Sequence, residues 1–275
     1  MMNRYRLPIS LSFSLDTPAA RPDQLVGITH ECDFPHEVRK KPVVVRPAIN
    51  MSQMSLAEID RAVSERIASG ASLYQVDEAL LKKLRPDLIV TQNLCQVCAP
   101  SGNEVSQVLK ALNPAPEILW MSPKSLEEVF KNIRDLGRAT GRLKRAEEIV
   151  ANGQRRLEQI ISRLSKETTS RPRVFCMEWV DPIYNAGHWM GEMVEIAGGT
   201  DELSRRGTDS VRIAWDDVVR WAPEILVVMP CGSTTRAPPP DGRTGLRAGR
   251  TPRPYPGRRM LRLRTSTSRW ARCRG

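Results

Sequence analysis

Apolar residues in this chain fall into short β-type runs that alternate with stretches of helical spacing. Leu25–Ile28 is an apolar run of strand length, and Val43–Val45 after Pro42 is a β-branched one. Between Ser55 and Ser69 the apolar positions are Leu56, Ile59, Ala62, Val63 and Ile67, the three-and-four spacing of an amphipathic helix. Ser55 and Glu58 make a capping box for it. A helix over Asp77–Leu84 is stopped by Pro86, and the strand Leu88–Val90 follows. Glu104–Leu112 reads as helix and Glu117–Met121 as strand. Ser125 and Glu128 repeat the capping box and open a helix that runs to Ala139, before a break at Gly141. From 142 to 167, Leu143, Ala146, Ile149, Val150, Leu157, Ile160, Ile161 and Leu164 hold the helical spacing again. That helix would be roughly 38 Å long at 1.5 Å per residue. Strand Arg173–Glu178, helix Trp189–Ala197 closed by Gly198-Gly199, helix Asp216–Trp221 and strand Ile225–Met229 complete the order. The last third thus shows two strands, which make a poor sheet on their own.

One phrase occurs twice. Leu84-Arg-Pro-Asp-Leu-Ile-Val90 leads to Cys95, and Trp221-Ala-Pro-Glu-Ile-Leu-Val-Val228 leads to Cys231. In each, a helix ends at a proline, an acid follows, and a short apolar strand leads to a cysteine. The pattern predicts an α/β protein of two related lobes. Ligands of open α/β sheets bind beyond the carboxyl ends of the strands, so the residues just after these strands are the candidates for function.

Charge changes the picture only at one end. The chain has 275 residues and a formal charge of +11, but residues 233–275 hold twelve arginines, one acid (Asp241) and no lysine. The remainder is balanced, so the basicity does not read as a nucleic-acid surface. The tail also holds six prolines and no period. It is expected to be disordered, the composition of a GC-rich gene read out of frame from near Ser233. Residues 1–22 form an atypical start: Leu7–Leu15 is short, one-third serine, and is followed by Asp16, a poor signal peptide. The working compartment is left open. No run approaches the ~20 apolar residues of a membrane helix, so direct membrane insertion is not expected. The expected divisions are 1–22, a first lobe at 23–122, a helical connection at 123–168, a second lobe at 169–232, and the tail at 233–275.

Six cysteines are too few for a disulfide scaffold. Cys95-Gln-Val-Cys98 is a C-x-x-C, and with His30 and Cys32 it could form a Cys₃His metal site or serve a thiol-dependent enzyme. Ordinary half-buried thiols are the plainer reading. The richest stretch is Trp179-Val-Asp-Pro-Ile-Tyr-Asn-Ala-Gly-His-Trp189, between a strand and a helix. Trp179, Tyr184 and Trp189 offer flat apolar surface, and His188 offers a donor, acceptor or metal ligand. Alternatively, the tryptophans are core and His188 caps the helix. No G-x-S-x-G, H-E-x-x-H or phosphate-cradling glycine loop is present, and no enzyme is expected.

Taken in order, Leu25-Val-Gly-Ile-Thr-His-Glu-Cys-Asp-Phe-Pro-His-Glu-Val38, Leu84–Val90, Glu178–Trp189 and Glu195-Ile-Ala-Gly-Gly199 resemble the cobalamin-binding proteins of ABC importers, in the iron-siderophore and cobalamin group of substrate-binding proteins. The resemblance covers about Asp23 to Gly232. It implies the class III architecture, two α/β lobes bridged by one long helix with little hinge motion, holding a corrinoid or another large iron chelate such as a ferric siderophore. By position the ligand contacts would be His30, Cys32, Asp33, Phe34, Asn93, Cys95, Cys98, Trp179, Asp181, Tyr184, His188, Trp189 and Cys231. An acid on each lobe would dock on the permease, here Glu78 and Asp216. The resemblance also implies a monomer, an extracytoplasmic setting, cobalamin as ligand rather than cofactor, and no specific nucleic-acid partner. The chain departs from the family in lacking room for the first helix and in losing the strands and helices that follow Cys231. A product of a frameshifted gene without function is the remaining alternative.

Overall fold

A computed structural model describes residues 7–8, 24–30, 32, 36–51, 53–92, 112–167, 170–229 and 259–261. The chain divides into two compact units, residues 1–159 and 160–275. The predicted helix Glu104–Leu112 lies outside the described residues, apart from Leu112.

In the first unit, β1 (Leu7–Pro8), β2 (Leu25–Thr29) and β3 (Val43–Pro47) run parallel, and β4 (Tyr74–Val76) closes the ladder antiparallel to β3. A 3-10 turn at His36–Lys40 links β2 to β3. Strands β5 (Leu88–Thr91) and β6 (Glu117–Trp120) form a second parallel ladder. Successive side chains of a strand point to opposite faces. Leu88 and Val90 therefore join Leu25, Ile28 and Leu136 in one core cluster, while Ile89 joins Val44, Val45 and Leu81 in another. Helices α2 (Glu78–Leu84) and α3 (Leu126–Ala139) supply Leu81 and Leu136, one to each cluster. Burial on both faces is why these strands read as continuous apolar runs. Each fully buried aliphatic side chain contributes about 1.5–3 kcal/mol.

The helix starts follow the sequence. Ser55 and Glu58 form the full capping box of α1 (Leu56–Ala68). At α3 the Ser125 hydroxyl accepts the Glu128 N–H, but the Glu128 carboxylate reaches back to the Lys124 N–H instead of that of Ser125. A turn at Gly141, with φ of +70°, reverses the chain into α4 (Leu143–Glu167). The first half of α4 packs Ala146 and Val150 on Ile133 of α3. Near its end Leu164 lies over Gly198.

The second unit carries more strand than its sequence suggests. Its main sheet has four strands in the order β12-β11-β7-β8, not two. Strands β7 (Val174–Val180), β11 (Ile225–Val228) and β12 (Arg259–Leu261) are parallel, and β8 (Ile183–Asn185) is antiparallel to β7. The predicted strand at 173–178 thus runs two residues further and folds back, where a loop was expected. Val174 and Cys176 face Val194 of α5 (Met190–Ile196), whereas Phe175 and Met177 face Val218 of α6 (Trp215–Trp221). Two short strands, β9 (Gly187–His188) and β10 (Arg205–Arg206), pair in parallel beside it.

The repeated phrase folds the same way twice. Helix α2 ends on Arg85 at φ 44° and ψ 65°, and α6 ends on Ala222 at φ 51° and ψ 59°, both left-handed. Each cap N–H reaches the carbonyl four residues back, of Leu81 and Val218 respectively. The proline and acid then lead straight into β5 and β11. The second corner is tied down further, since Arg173 Nε donates to the Ala222 carbonyl at 3.0 Å and Trp221 Nε1 to the Val174 carbonyl at 3.0 Å. A left-handed L-residue costs roughly 1–2 kcal/mol that glycine avoids, less glycine's greater loss of freedom on folding. Ala222→Gly is therefore expected to stabilise the chain by about 0.5–1 kcal/mol. A urea titration checks it, and a lowered midpoint would refute the strain.

Candidate ligand-binding site

The aromatic segment of the second unit is built on a hairpin. Trp179 pairs with Tyr184 across β7 and β8, and directly opposite residues share a face. The turn between them contains the cis Asp181–Pro182 bond, and Trp179 Nε1 donates to the Asp181 carbonyl at 3.0 Å. Arg212 donates from Nε to the Tyr184 phenol oxygen at 3.1 Å, with its guanidinium 5.9 Å from the ring centre. This contact combines a hydrogen bond with a cation–π arrangement. Trp179, Tyr184, His188 and Trp189 are all half-buried, neither core nor free surface.

Residues 203–213 hold this hairpin in place. Asn185 is buried; its side-chain oxygen accepts the Val211 N–H at 2.7 Å, and its amide donates to the Leu203 carbonyl at 2.5 Å. The backbone adds Asn185 N–H to Val211, Ile213 N–H to Ile183, and His188 N–H to Thr208. Gly187 sits where the backbone of 208–210 comes closest: a Cβ there would lie 2.6 Å from the Ser210 nitrogen and 2.7 Å from the Thr208 oxygen. Its N–H goes to the Glu178 carboxylate at 3.1 Å.

His188 follows with φ of 53°, a left-handed conformation that costs a non-glycine residue about 1–3 kcal/mol and persists only under such constraint. Its Nε2 lies 3.1 Å from the Asp209 carboxylate, and its ring centre 5.9 Å from that of Trp189. The N-cap of α5 is Trp189, without a side-chain capping bond, so His188 is not the helix cap.

Beneath this segment Asp201 organises the backbone. Its two carboxylate oxygens accept the N–H groups of Cys176, Leu203 and Ser204 at 3.0–3.1 Å. Burial raises its carboxyl above the ordinary value of 3.8, against the lowering effect of those N–H groups. Burial, with the Asp201 carboxylate beside it, pushes the Cys176 thiol up to about 12. Cys176 is thus an inert core thiol.

In the first unit His30 ends β2, with its N–H on the Val45 carbonyl at 3.0 Å and its ring 6.2 Å from that of Tyr74. Cys32 is buried in the core with Sγ 3.3 Å from Thr29 Oγ1. Asp33, Phe34, Asn93, Cys95, Cys98 and Cys231 lie outside the described residues. Among the described residues no group of three or more His, Cys, Asp or Glu is placed to hold a metal ion. Glu78 and Asp216 are both exposed, in the first turns of α2 and α6. The structure thus places Trp179, Asp181 and Tyr184 on one hairpin, with His188 and Trp189 in the segment that leads from it into α5.

Two exposed aromatics escape the sequence reading: Trp120, 40 % exposed at the end of β6, and Trp215, 39 % exposed at the start of α6. Trp120 stands at a strand's carboxyl end, the place where open sheets bind ligands, and that position was the available signal. No helix among the described residues is long and apolar enough to cross a membrane.

No curated protein matches the chain. Solved structures do. The periplasmic vitamin B12 binding protein BtuF of Vibrio cholerae is 17% identical with a TM-score of 0.56, over 82% of this chain and 76% of that one. A periplasmic heme binding protein from Pseudomonas aeruginosa is 16% identical with a TM-score of 0.59, over 83% and 73%. IsdE of S. aureus, solved with heme, is 16% identical with a TM-score of 0.57, over 83% and 76%. At these identities the likeness is one of fold, the α/β fold of class III periplasmic binding proteins. The profile of the periplasmic binding proteins matches residues 21–241. This removes the enzyme reading of His30, Cys32, Cys95 and Cys98, because the matched family binds ligands and is not enzymatic. On that match the chain belongs to the periplasmic binding protein family, with the fold of its iron and vitamin B12 group.

Proposed function

We propose that this protein captures cobalamin or a related corrinoid and delivers it to an ABC importer. The observation that carries the reading is the aromatic segment 179–189, in which Trp179 pairs with Tyr184 across the hairpin and the His188 ring lies 5.9 Å from that of Trp189. All four side chains are half-buried, and Trp179, Tyr184 and His188 are held at their polar ends by Asp181, Arg212 and Asp209 respectively. A corrinoid offers a broad, largely apolar face and a rim of amides. Rigid indole and phenol surfaces with a few placed polar groups suit such a ligand. Glu78 and Asp216, exposed on different units, are the acids offered to the permease.

An iron chelate, haem or a ferric siderophore, is the second reading. Arg212 favours it, as a cation held over the Tyr184 ring that would meet an acidic substituent. Tyrosine and histidine are also side chains that ligate haem iron.

Thermal unfolding with excess cobalamin, haemin or a ferric siderophore separates these. A ligand that binds only the folded state adds RT ln(1 + [L]/Kd), about 2.7 kcal/mol at a hundredfold excess over Kd. The expected result is an upward shift with cobalamin. A shift with haemin or the siderophore alone selects the second reading, and no shift with any of them rejects both.

A further inference from the structure

We infer that His188 bonds directly to the metal at the centre of the bound macrocycle through Nδ1, with Asp209 as the residue that positions it. The inference rests on the function proposed above and names the atom that would make the contact. A metal-binding imidazole commonly donates its other ring N–H to a carboxylate, which fixes the tautomer and strengthens the ligating nitrogen. His188 has this arrangement: Nε2 is 3.1 Å from Asp209 Oδ1. With the proton held on Nε2, Nδ1 keeps its lone pair. Nδ1 has no hydrogen-bond partner among the described residues, nor is it one of the buried nitrogens left without one, so it remains open to solvent and ligand.

The backbone supports the same assignment. A left-handed histidine is an uncommon conformation, and such outliers gather at ligand clamps. Here φ of 53° is imposed on both sides, by the His188 N–H to Thr208 and the Gly207 N–H to His188. The Trp189 ring, 5.9 Å away, forms the apolar flank of the imidazole. A histidine serving only as surface or as a helix cap would need neither the carboxylate nor the strained backbone. On binding, the metal–water bond breaks, the metal–Nδ1 bond forms, and water leaves; no electron is transferred.

Visible spectroscopy with two cobalamins tests this. In aquocobalamin the upper cobalt position holds an exchangeable water; in cyanocobalamin a tightly bound cyanide blocks it. Wild-type protein is expected to shift the visible bands of aquocobalamin and to leave those of cyanocobalamin in place. His188→Ala should abolish the shift and lose at least tenfold more affinity for aquocobalamin than for cyanocobalamin. Asp209→Asn should weaken aquocobalamin binding about tenfold, since loss of such a supporting carboxylate typically costs 10–100-fold. If wild-type protein binds cyanocobalamin but the aquocobalamin bands do not move, or if His188→Ala keeps the shift, the metal bond is refuted and the corrinoid reading stands. If wild-type protein binds neither, the corrinoid reading falls and this inference with it.

Discussion

Asp201→Ala is expected to remove about 3 kcal/mol of folding stability. The carboxylate is 7% exposed and receives three backbone N–H groups, from Cys176, Leu203 and Ser204. A buried N–H left without an acceptor costs about 1–3 kcal/mol, and water entering the vacated space recovers part of that. Asp201→Asn keeps one acceptor and turns an amide donor towards another N–H, so it should fall between wild type and alanine. The pH dependence gives a second check. Burial raises the folded-state carboxyl above its usual value. An acid with a raised folded-state pKa prefers its proton in the fold. Its extra contribution is therefore complete below the unfolded value near 3.8 and is lost as pH rises through the folded value. Measured against Asp201→Asn, which does not titrate there, wild type should gain relative stability as pH falls from neutral to below 4. Urea titrations at several pH values read both effects. A loss under 1 kcal/mol for alanine, or relative stability that falls with falling pH, would contradict this account.

Gly187→Ala should cost about 2–3 kcal/mol, at the upper end of the range for overpacking. The added carbon would meet the Ser210 nitrogen and the Thr208 oxygen at 2.6 and 2.7 Å, and both are backbone atoms that cannot swing aside. Relief requires 208–210 to move outwards. That loosens the His188 N–H bond to Thr208 and carries Asp209 away from the imidazole. The variant should thus lose stability and ligand affinity together, whereas His188→Ala should lose mainly affinity. Denaturant titration with a cobalamin binding curve on both variants separates them. An alanine at 187 with wild-type stability would show that the segment yields easily.

The sequence makes most of the scaffold legible because its markers are local. Capping residues at Ser55, Asp77 and Ser125 start α1, α2 and α3. Apolar runs mark β2, β3, β5, β6 and β11, and the prolines after Arg85 and Ala222 announce the two strand entries. Short elements stabilised by partners distant in sequence are not legible. Strand β8 has three residues, paired with β7 and bound on its outer edge by residues 211–213, 28 positions beyond Tyr184. Strand β4 is likewise three residues with no run of its own. The candidate site divides in the same way. Residue type alone nominated Trp179, Tyr184, His188 and Trp189, but the carboxylate that sets the His188 tautomer is 21 residues away. Asp201, the hub beneath them, looked in sequence like any loop acid. Cys32 was nominated by its place after a strand, and that same place buries it in the core.

The bonding of Asn185 also bears on how the protein avoids sticking to itself. The outer side of β8 is a sheet edge, and an edge with open N–H and C=O groups can template pairing with another chain. On this edge the Ile183 carbonyl and the Asn185 N–H are taken by Ile213 and Val211, and the Asn185 side chain occupies the Val211 N–H and the Leu203 carbonyl. Because half of those bonds come from a side chain, residues 211–213 cover the edge without forming a regular ladder with it. The same four bonds that hold the hairpin of Trp179 and Tyr184 thus cover an edge open to pairing.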